Sequence, residues 1–480
     1  MFKMMNHLYK GVLAACMLWG SVSADSEIKS TVADQSSVAV TIYNENLALV
    51  KDSRSVTLPS GEIKLAFAEV SAQIRPETSI LRNLSEGSEI TLLEQNFDYD
   101  LLTPAKLLDK YVGRTVEVVK TNPATGAESS EQALVLSANN GVVLQFSDRI
   151  ETGVPGRIVY SDVPNHLRDR PTLVMTLLNT AAGQQDLELS YLTRGLSWQS
   201  DYVAELNSEE TSVDLAGWMT LDNQSGTRYE NALLQLVAGD VQQVQQQLQR
   251  TFKSGMVMES MAAAPAMQEE SLLDYHLYTL ERPTTLADNQ KKQVAFMSVS
   301  QVPVQKSYLL NGFGQLYGGQ MSGVPQKEDI GVFLNYVNDE ASGLGKPMPK
   351  GIVRVYKKDS QGRIQFVGED RIDHTPKNSD LQLKLGNAFD VTADRIQSDF
   401  KKLPAEAQYR FVAEIEQVIN ISNARDIAAE VTIREPIPGD WEIVSESNPH
   451  IKTSANSVEW LVTVPPEGEV EHRYRVKVRY

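Results

Sequence analysis

The sequence predicts a mainly β chain: several antiparallel β-sandwiches, an immunoglobulin-like sandwich at the C-terminus, and few, short helices. Three observations predict it. Many short runs alternate apolar and polar residues, the pattern of a half-buried strand. Clusters of Gly, Pro, Asn and Asp punctuate these runs at turn spacing. Neither sustained heptads nor a solenoid period recurs along the chain. Residues 191–241 show the alternation best. Leu196, Trp198, Tyr202, Ala204 and Leu206 share one face, and Gln199, Asp201 and Glu205 share the other. A second run, Leu215–Leu221, leads into the turn-rich Asp222-Asn223-Gln224-Ser225-Gly226.

The 480 residues are 41% hydrophobic, enough for about three units of roughly 100–200 residues each. Residues 1–24 read as a signal peptide. Lys3 and Lys10 precede the apolar run Gly11–Trp19, and Val22-Ser23-Ala24 ends in small residues, which places cleavage between Ala24 and Asp25. The run is far shorter than the roughly 20 residues of a membrane span. Leu13-Ala14-Ala15-Cys16 offers an alternative, lipidation at Cys16. The apolar run before Cys16 is short and continues past it, which favours ordinary cleavage. Cys16 is the only cysteine, so the mature chain has no disulfide or thiol chemistry.

Residues 25–37 form a polar N-terminal segment. An N-terminal β-domain follows at 38–112. Val38–Tyr43 and Leu47–Lys51 flank the turn Asn44-Glu45-Asn46, and Ser53–Leu58 and Glu62–Phe67 flank Pro59-Ser60-Gly61. Thr103 as N-cap and Pro104 at the first position start a short helix over 104–112, which Gly113 ends. Residues 113–170 read as a small inserted β-unit of short strands. A central β-domain occupies 171–241 and resumes at 273–405. Between its halves, the Gln-, Met- and Ala-rich stretch 242–272 reads as a flexible linker, too poor in large apolar residues to order alone. Gly312–Gly323 reads as a glycine-rich loop. Residues 406–480 form the C-terminal sandwich. Phe411, Ala413, Ile415, Ile419 and Ile421 alternate with polar residues, as do Ala429, Val431 and Ile433. Tyr474, Val476, Val478 and Tyr480 alternate with Arg475, Lys477 and Arg479, a last strand of that sandwich. The same alternation occurs in an outer-membrane barrel strand, but repeated aromatic-girdled strands are missing elsewhere.

A net charge of −17 argues against nucleic acid and against polybasic attachment to anionic lipid, since both need clustered Lys and Arg. Several phrases, taken in order, resemble the DUF4139 family of bacterial envelope proteins. They are Ile42–Val50 (IYNENLALV), Phe97–Leu102 (FDYDLL) and residues 191–241. Tyr275–Tyr278 (YHLY), Arg282–Leu286 (RPTTL) and Gly386–Asp390 (GNAFD) follow. The resemblance implies an exported, β-rich architecture of several sandwich-like parts. It implies no catalytic residues.

Candidate chemistry is sparse. Met256, Met258, Met261 and Met267 are soft thioethers at close spacing that suit Cu(I), set against a plain flexible linker. His374 closes the acidic run Glu369-Asp370-Arg371-Ile372-Asp373, a carboxylate–imidazole set, against a strand with solvated charges. Asp201, Asp222 and Asp240 are the carboxylates that a hydrolase would need to pair in space. Gly195-Leu196-Ser197 lacks the second glycine of a nucleophile elbow. Trp198, Tyr202 and Trp218 suggest an aromatic platform, against core packing. No cofactor motif occurs. The expectation is an exported periplasmic or envelope protein that serves as a non-catalytic scaffold or binds a protein or glycan partner. The alternatives are a carboxylate-dependent hydrolase and a metal-binding factor using the methionine segment.

Overall fold

A computed structural model describes residues 27–164, 167–239, 241, 267–272, 275–321, 323–405 and 408–480. The signal segment with Cys16, Ala24 and Asp25 lies outside them, as do residues 242–266 of the expected linker. The chain is mainly β, arranged in several antiparallel and mixed sheets. Among the described residues the one α-helix is Pro104–Lys110, and no helix is long and apolar enough to cross a membrane. Contacts divide the chain into two compact units, one of residues 50–192 with the N-terminal residues to 38, the other of 39–49 with 193–480.

In the first unit a sheet runs in the order Ile28–Ser30, Gly61–Ala68, Thr172–Asn179, Ile90–Asp98. Its first strand pairs parallel to Gly61–Ala68, with Ile28 opposite Leu65. The sequence places the first strand at Val38; the structure starts a strand ten residues earlier, and the reason is a buried guanidinium. Arg54 is fully buried. Its Nη1 donates to Ser30 O (3.0 Å) and its Nη2 to Ala68 O (2.9 Å) and to Asp52 Oδ2 (2.8 Å). Its guanidinium also stacks 3.7 Å from the Phe67 ring centroid. Asp52 and Arg54 point inward on the strand Leu47–Leu58, in step with Val50, Val56 and Leu58. The strand therefore runs unbroken through Asp52, and the two expected strands Leu47–Lys51 and Ser53–Leu58 are one.

The same unit holds a five-stranded sheet in the order Ile150–Thr152, Val143–Gln145, Glu128–Ser137, Thr115–Thr121, Arg157–Val159. Val116, Val118, Val135 and Leu144 fill its core together with Tyr111. The helix before it is capped as its sequence dictates: Thr103 Oγ1 accepts from Lys106 N (3.2 Å), with Pro104 in the first turn. It stops at Lys110, because Tyr111 turns into the core and its hydroxyl donates to Asp162 O (2.8 Å).

The second unit contains a five-stranded sheet in the order Gln290–Pro303, Ser212–Asn223, Leu196–Leu206, Gly351–Lys358, Ile364–Ile372. Leu196–Leu206 runs antiparallel to Ser212–Asn223 and parallel to Gly351–Lys358. Its inner face packs Tyr202, Ala204, Val353 and Val355 against Leu334, Tyr336 and Leu381 of a six-stranded sheet. Toward the C-terminus that second sheet shares another core with a five-stranded sheet, built on Val431, Trp460, Ile419, Tyr474 and Val476. This core also takes Tyr308, Leu310, Tyr317 and Val391 from far upstream. The strand Gln305–Asn311 pairs parallel with Ala429–Pro436, and Val391–Leu403 pairs with Val412–Asn423. The first of these pairings is so distant in sequence that it leaves no local pattern to read. Gly312–Gly323, expected as a loop, contains the 3₁₀ turn Gly314–Tyr317 and buries Leu316 and Tyr317.

His472 lies buried in this C-terminal core beside Trp460, with Nδ1 3.2 Å from Asn448 Oδ1. Its Nε2 is buried and has no partner among the described residues, so a second proton there has no acceptor. Burial pushes the imidazole down from 6.5 to about 4. The depressed value means that the unfolded chain binds the proton first. The neutral ring's contribution is whole above pH 6.5 and is lost as pH falls toward 4. The substitution His472→Asn is expected to flatten the fall of the urea midpoint across that window, relative to the parent chain.

Candidate functional site

The outer face of the Leu196–Leu206 sheet carries a row of polar contacts that crosses every strand. One residue from each of its five strands joins a chain of contacts. Gln293 Nε2 donates to Thr220 Oγ1 (3.1 Å), and Thr220 Oγ1 donates to Asp201 Oδ2 (2.6 Å). Arg354 Nη1 donates to Asp201 Oδ1 (2.9 Å), and Arg354 Nε lies 3.2 Å from Glu369 Oε2. Alternation produces the row: Asp201 is opposite Trp218, and Trp218 and Thr220 share that face of their strand. Asp201 is 2% exposed, so the row places a carboxylate where water does not reach it and satisfies it with two side chains. Gln199 Nε2 adds a third contact at 3.3 Å.

Beside this row a cleft of about 420 Å³ opens. Lys291, Lys350 and Arg371 supply its cations, Asp222 and Asp373 its carboxylates. Lys291 Nζ lies 3.8 Å from Asp222 Oδ2, and Gln224 Nε2 also reaches that carboxylate (3.3 Å). Ser197, Trp198, Gln199 and Ser200 form one wall, and Asn44 stands on the rim. His374 helps hold the cleft's end rather than entering it. Its Nδ1 accepts from Lys350 N (3.3 Å), and its Nε2 lies 3.3 Å from Asn44 Nδ2.

The cleft exists because a strand starts late. Gly351–Lys358 first pairs with its neighbour at Gly351 opposite Ser200, while that neighbour begins at Leu196. A side chain at Gly351 would collide with the Ser200 carbonyl, so a glycine opens the pairing. One step earlier the incoming chain turns away. Met348 exchanges both main-chain groups with Thr375 (2.9 Å each). Residues 196–199 are left with an edge facing the cleft.

Residues 187–480 match the family described as a domain of unknown function (DUF4139). The chain belongs to the DUF4139 family. No curated protein matches it. The DUF4139 match takes in the whole five-stranded sheet and every cleft residue named above except Asn44, which comes from the N-terminal hairpin.

Within this DUF4139 chain the structure sorts the sequence candidates. Asp222 and Asp373 line one cleft, and Asp201 lies beneath the neighbouring sheet surface, committed to Arg354 and Thr220. Asp240 lies outside the described residues, as do Met256, Met258 and Met261. Met267 is 7% exposed and meets Tyr278, Phe296, Met297 and Met348 around a separate cavity of about 270 Å³. Trp198 and Tyr202 are buried on the inner face, and Trp218 lies half-buried on the outer one, so the three make no common platform. The acidic run does not converge: Glu369 meets Arg354, and Asp370 accepts from Lys384 N (2.7 Å). Among the described residues no three His, Cys, Asp or Glu side chains are grouped to hold a metal. The sequence reading missed Arg354, Lys350 and Lys291. Arg354 was the findable one, because alternation along Gly351–Lys358 sets it on the polar face.

Replacing Asp201 by Ala leaves Arg354 with Glu369 alone and strips Thr220 of its acceptor. The expected loss of stability is on the order of 3 kcal/mol, and less for Asp201→Asn, whose one carboxamide oxygen still accepts from one of the two partners. Urea unfolding of the two variants beside the parent measures it.

Proposed function

We propose that this chain is an exported envelope protein that binds a protein or glycan partner without converting it. Export rests on the N-terminal sequence: two lysines, a short apolar run, and small residues before Asp25. The observation that carries the binding role is the cleft beside Trp198. A polar, open recess bearing three cations and an unpaired strand edge sits on a sheet braced by its own cross-strand row. Recognition sites are built this way, with a few placed polar groups on a rigid support. The cleft's Asp222 already has Lys291 and Gln224 as partners, which suits holding shape.

One observation favours a second reading, a carboxylate-dependent hydrolase: Asp222 and Asp373 line the same cleft. A panel of oligosaccharides, peptides and esters separates the two. Purified mature protein is expected to retain ligands on the panel with no turnover above a buffer blank. Turnover that Asp222→Asn or Asp373→Asn abolishes, in a folded variant, overturns the binding reading in favour of the hydrolase.

A further inference from the structure

We propose that the cleft takes an extended polypeptide, which adds as a short strand beside Trp198 and sets a carboxylate against Arg371. The inference rests on the binding reading above and names its partner class. In a strand, the N–H and C=O of one residue point to one edge, and those of the next residue point to the other. Gly195 O accepts from Gln224 N (2.6 Å), so odd residues of this strand face the Ser212–Asn223 side. The Ser200 carbonyl faces Gly351, which confirms the even set on the opposite edge. Trp198 belongs to the even set, and its N–H and C=O therefore point toward the cleft it lines.

Continuing the parallel ladder back to Trp198 would need the N–H of Lys350 and the C=O of Met348. Both are engaged elsewhere, Lys350 N with His374 Nδ1 and Met348 O with Thr375 N. Trp198 is 4% exposed, yet no described residue pairs with its main chain on that edge. A donor and acceptor on an open edge of this kind are a template that a strand supplied by another chain satisfies.

The charges narrow the occupant. Lys291 and Asp222 offset each other at 3.8 Å. Arg371 is exposed on the cleft wall, and no carboxylate among the described residues pairs with its guanidinium. A guanidinium in that position donates two parallel N–H bonds to a carboxylate. The side chains that line the cleft offer no exposed aromatic ring for a sugar to stack on, because Trp198 is buried. A peptide bearing a carboxylate, at its C-terminus or on a side chain, matches these features and a glycan does not.

The test uses the full mature chain and its Arg371→Glu variant side by side. Arg371 is exposed, and circular dichroism with a thermal melt checks that the variant folds. A display library of random heptapeptides with free C-termini is selected against both proteins. The leading peptide is then made with each backbone amide N-methylated in turn, and affinities are read by fluorescence anisotropy. The expected result is selective enrichment on the parent chain. One N-methyl position and Arg371→Glu should each weaken binding about tenfold, the size of one lost, desolvated hydrogen bond or ion pair. No enrichment over the variant overturns the inference, as does a peptide indifferent to every N-methyl group. An oligosaccharide array run in parallel keeps the two levels apart. A glycan that binds the parent and not the variant removes the polypeptide while leaving the binding reading intact.

Discussion

The second unit depends on how one carboxylate is buried. Asp201 sits on the central strand of the five-stranded sheet at 2% exposure, and it holds Arg354 on one side and Thr220 on the other. A charge in that position is tolerable only if its partners stay in place. That requirement fixes the register of three adjacent strands, and Gln293 and Glu369 extend it to the outer two. A slip of one residue would turn Asp201 into the Tyr202 core and Tyr202 into the polar row. The row therefore fixes where the Gly351–Lys358 strand meets its neighbour. From that meeting point follows the unpaired stretch of edge and the cleft.

The same device appears in two other places. In the first unit, Arg54 gathers Ser30, Asp52 and Ala68 and so recruits a strand of only three residues. In the C-terminal core, Arg395 lies between Glu328 (2.6 Å) and Glu435 (2.6 Å), and Tyr317 donates to Glu435 (3.1 Å). Burial pushes the Glu435 carboxyl up, against the pull of Arg395. Here too a short segment, the turn Gly314–Tyr317, is held by a hydroxyl on a buried ion cluster rather than by a ladder. Sheets with polar outer faces gain little from packing on those faces. Buried guanidinium groups, each satisfied by several acceptors, supply part of the specificity instead.

Much of this was legible in the sequence, for a physical reason. Strand alternation records which face meets the core, so Leu196, Trp198, Tyr202 and Ala204 were placed on the buried face from residue types alone. The cap of the Pro104–Lys110 helix was equally local. What could not be read was non-local. Nothing near Gln305–Asn311 says that it pairs with Ala429–Pro436 more than a hundred residues away. Asp52 reads as a break between strands, and Arg54 as an exposed charge, because the compensation comes from Ser30 and Ala68. The candidate site was half legible. Asp222 and Trp198 were singled out, while Lys350 and Arg371 gain meaning only where a strand begins at Gly351.

The central claim is that the main chain of Trp198 faces a vacant position in the sheet. Residue-resolved amide hydrogen exchange on the free, folded protein tests it without any ligand. Ser200 and Tyr202 lie on the same strand, point to the same edge, and have Gly351–Lys358 beside them. The account predicts that the Trp198 amide exchanges at least a hundredfold faster than either, a difference of about 2.7 kcal/mol in local protection. Equal protection across the three residues would show that the ladder is closed at Trp198, and the cleft would lose the feature on which its role rests.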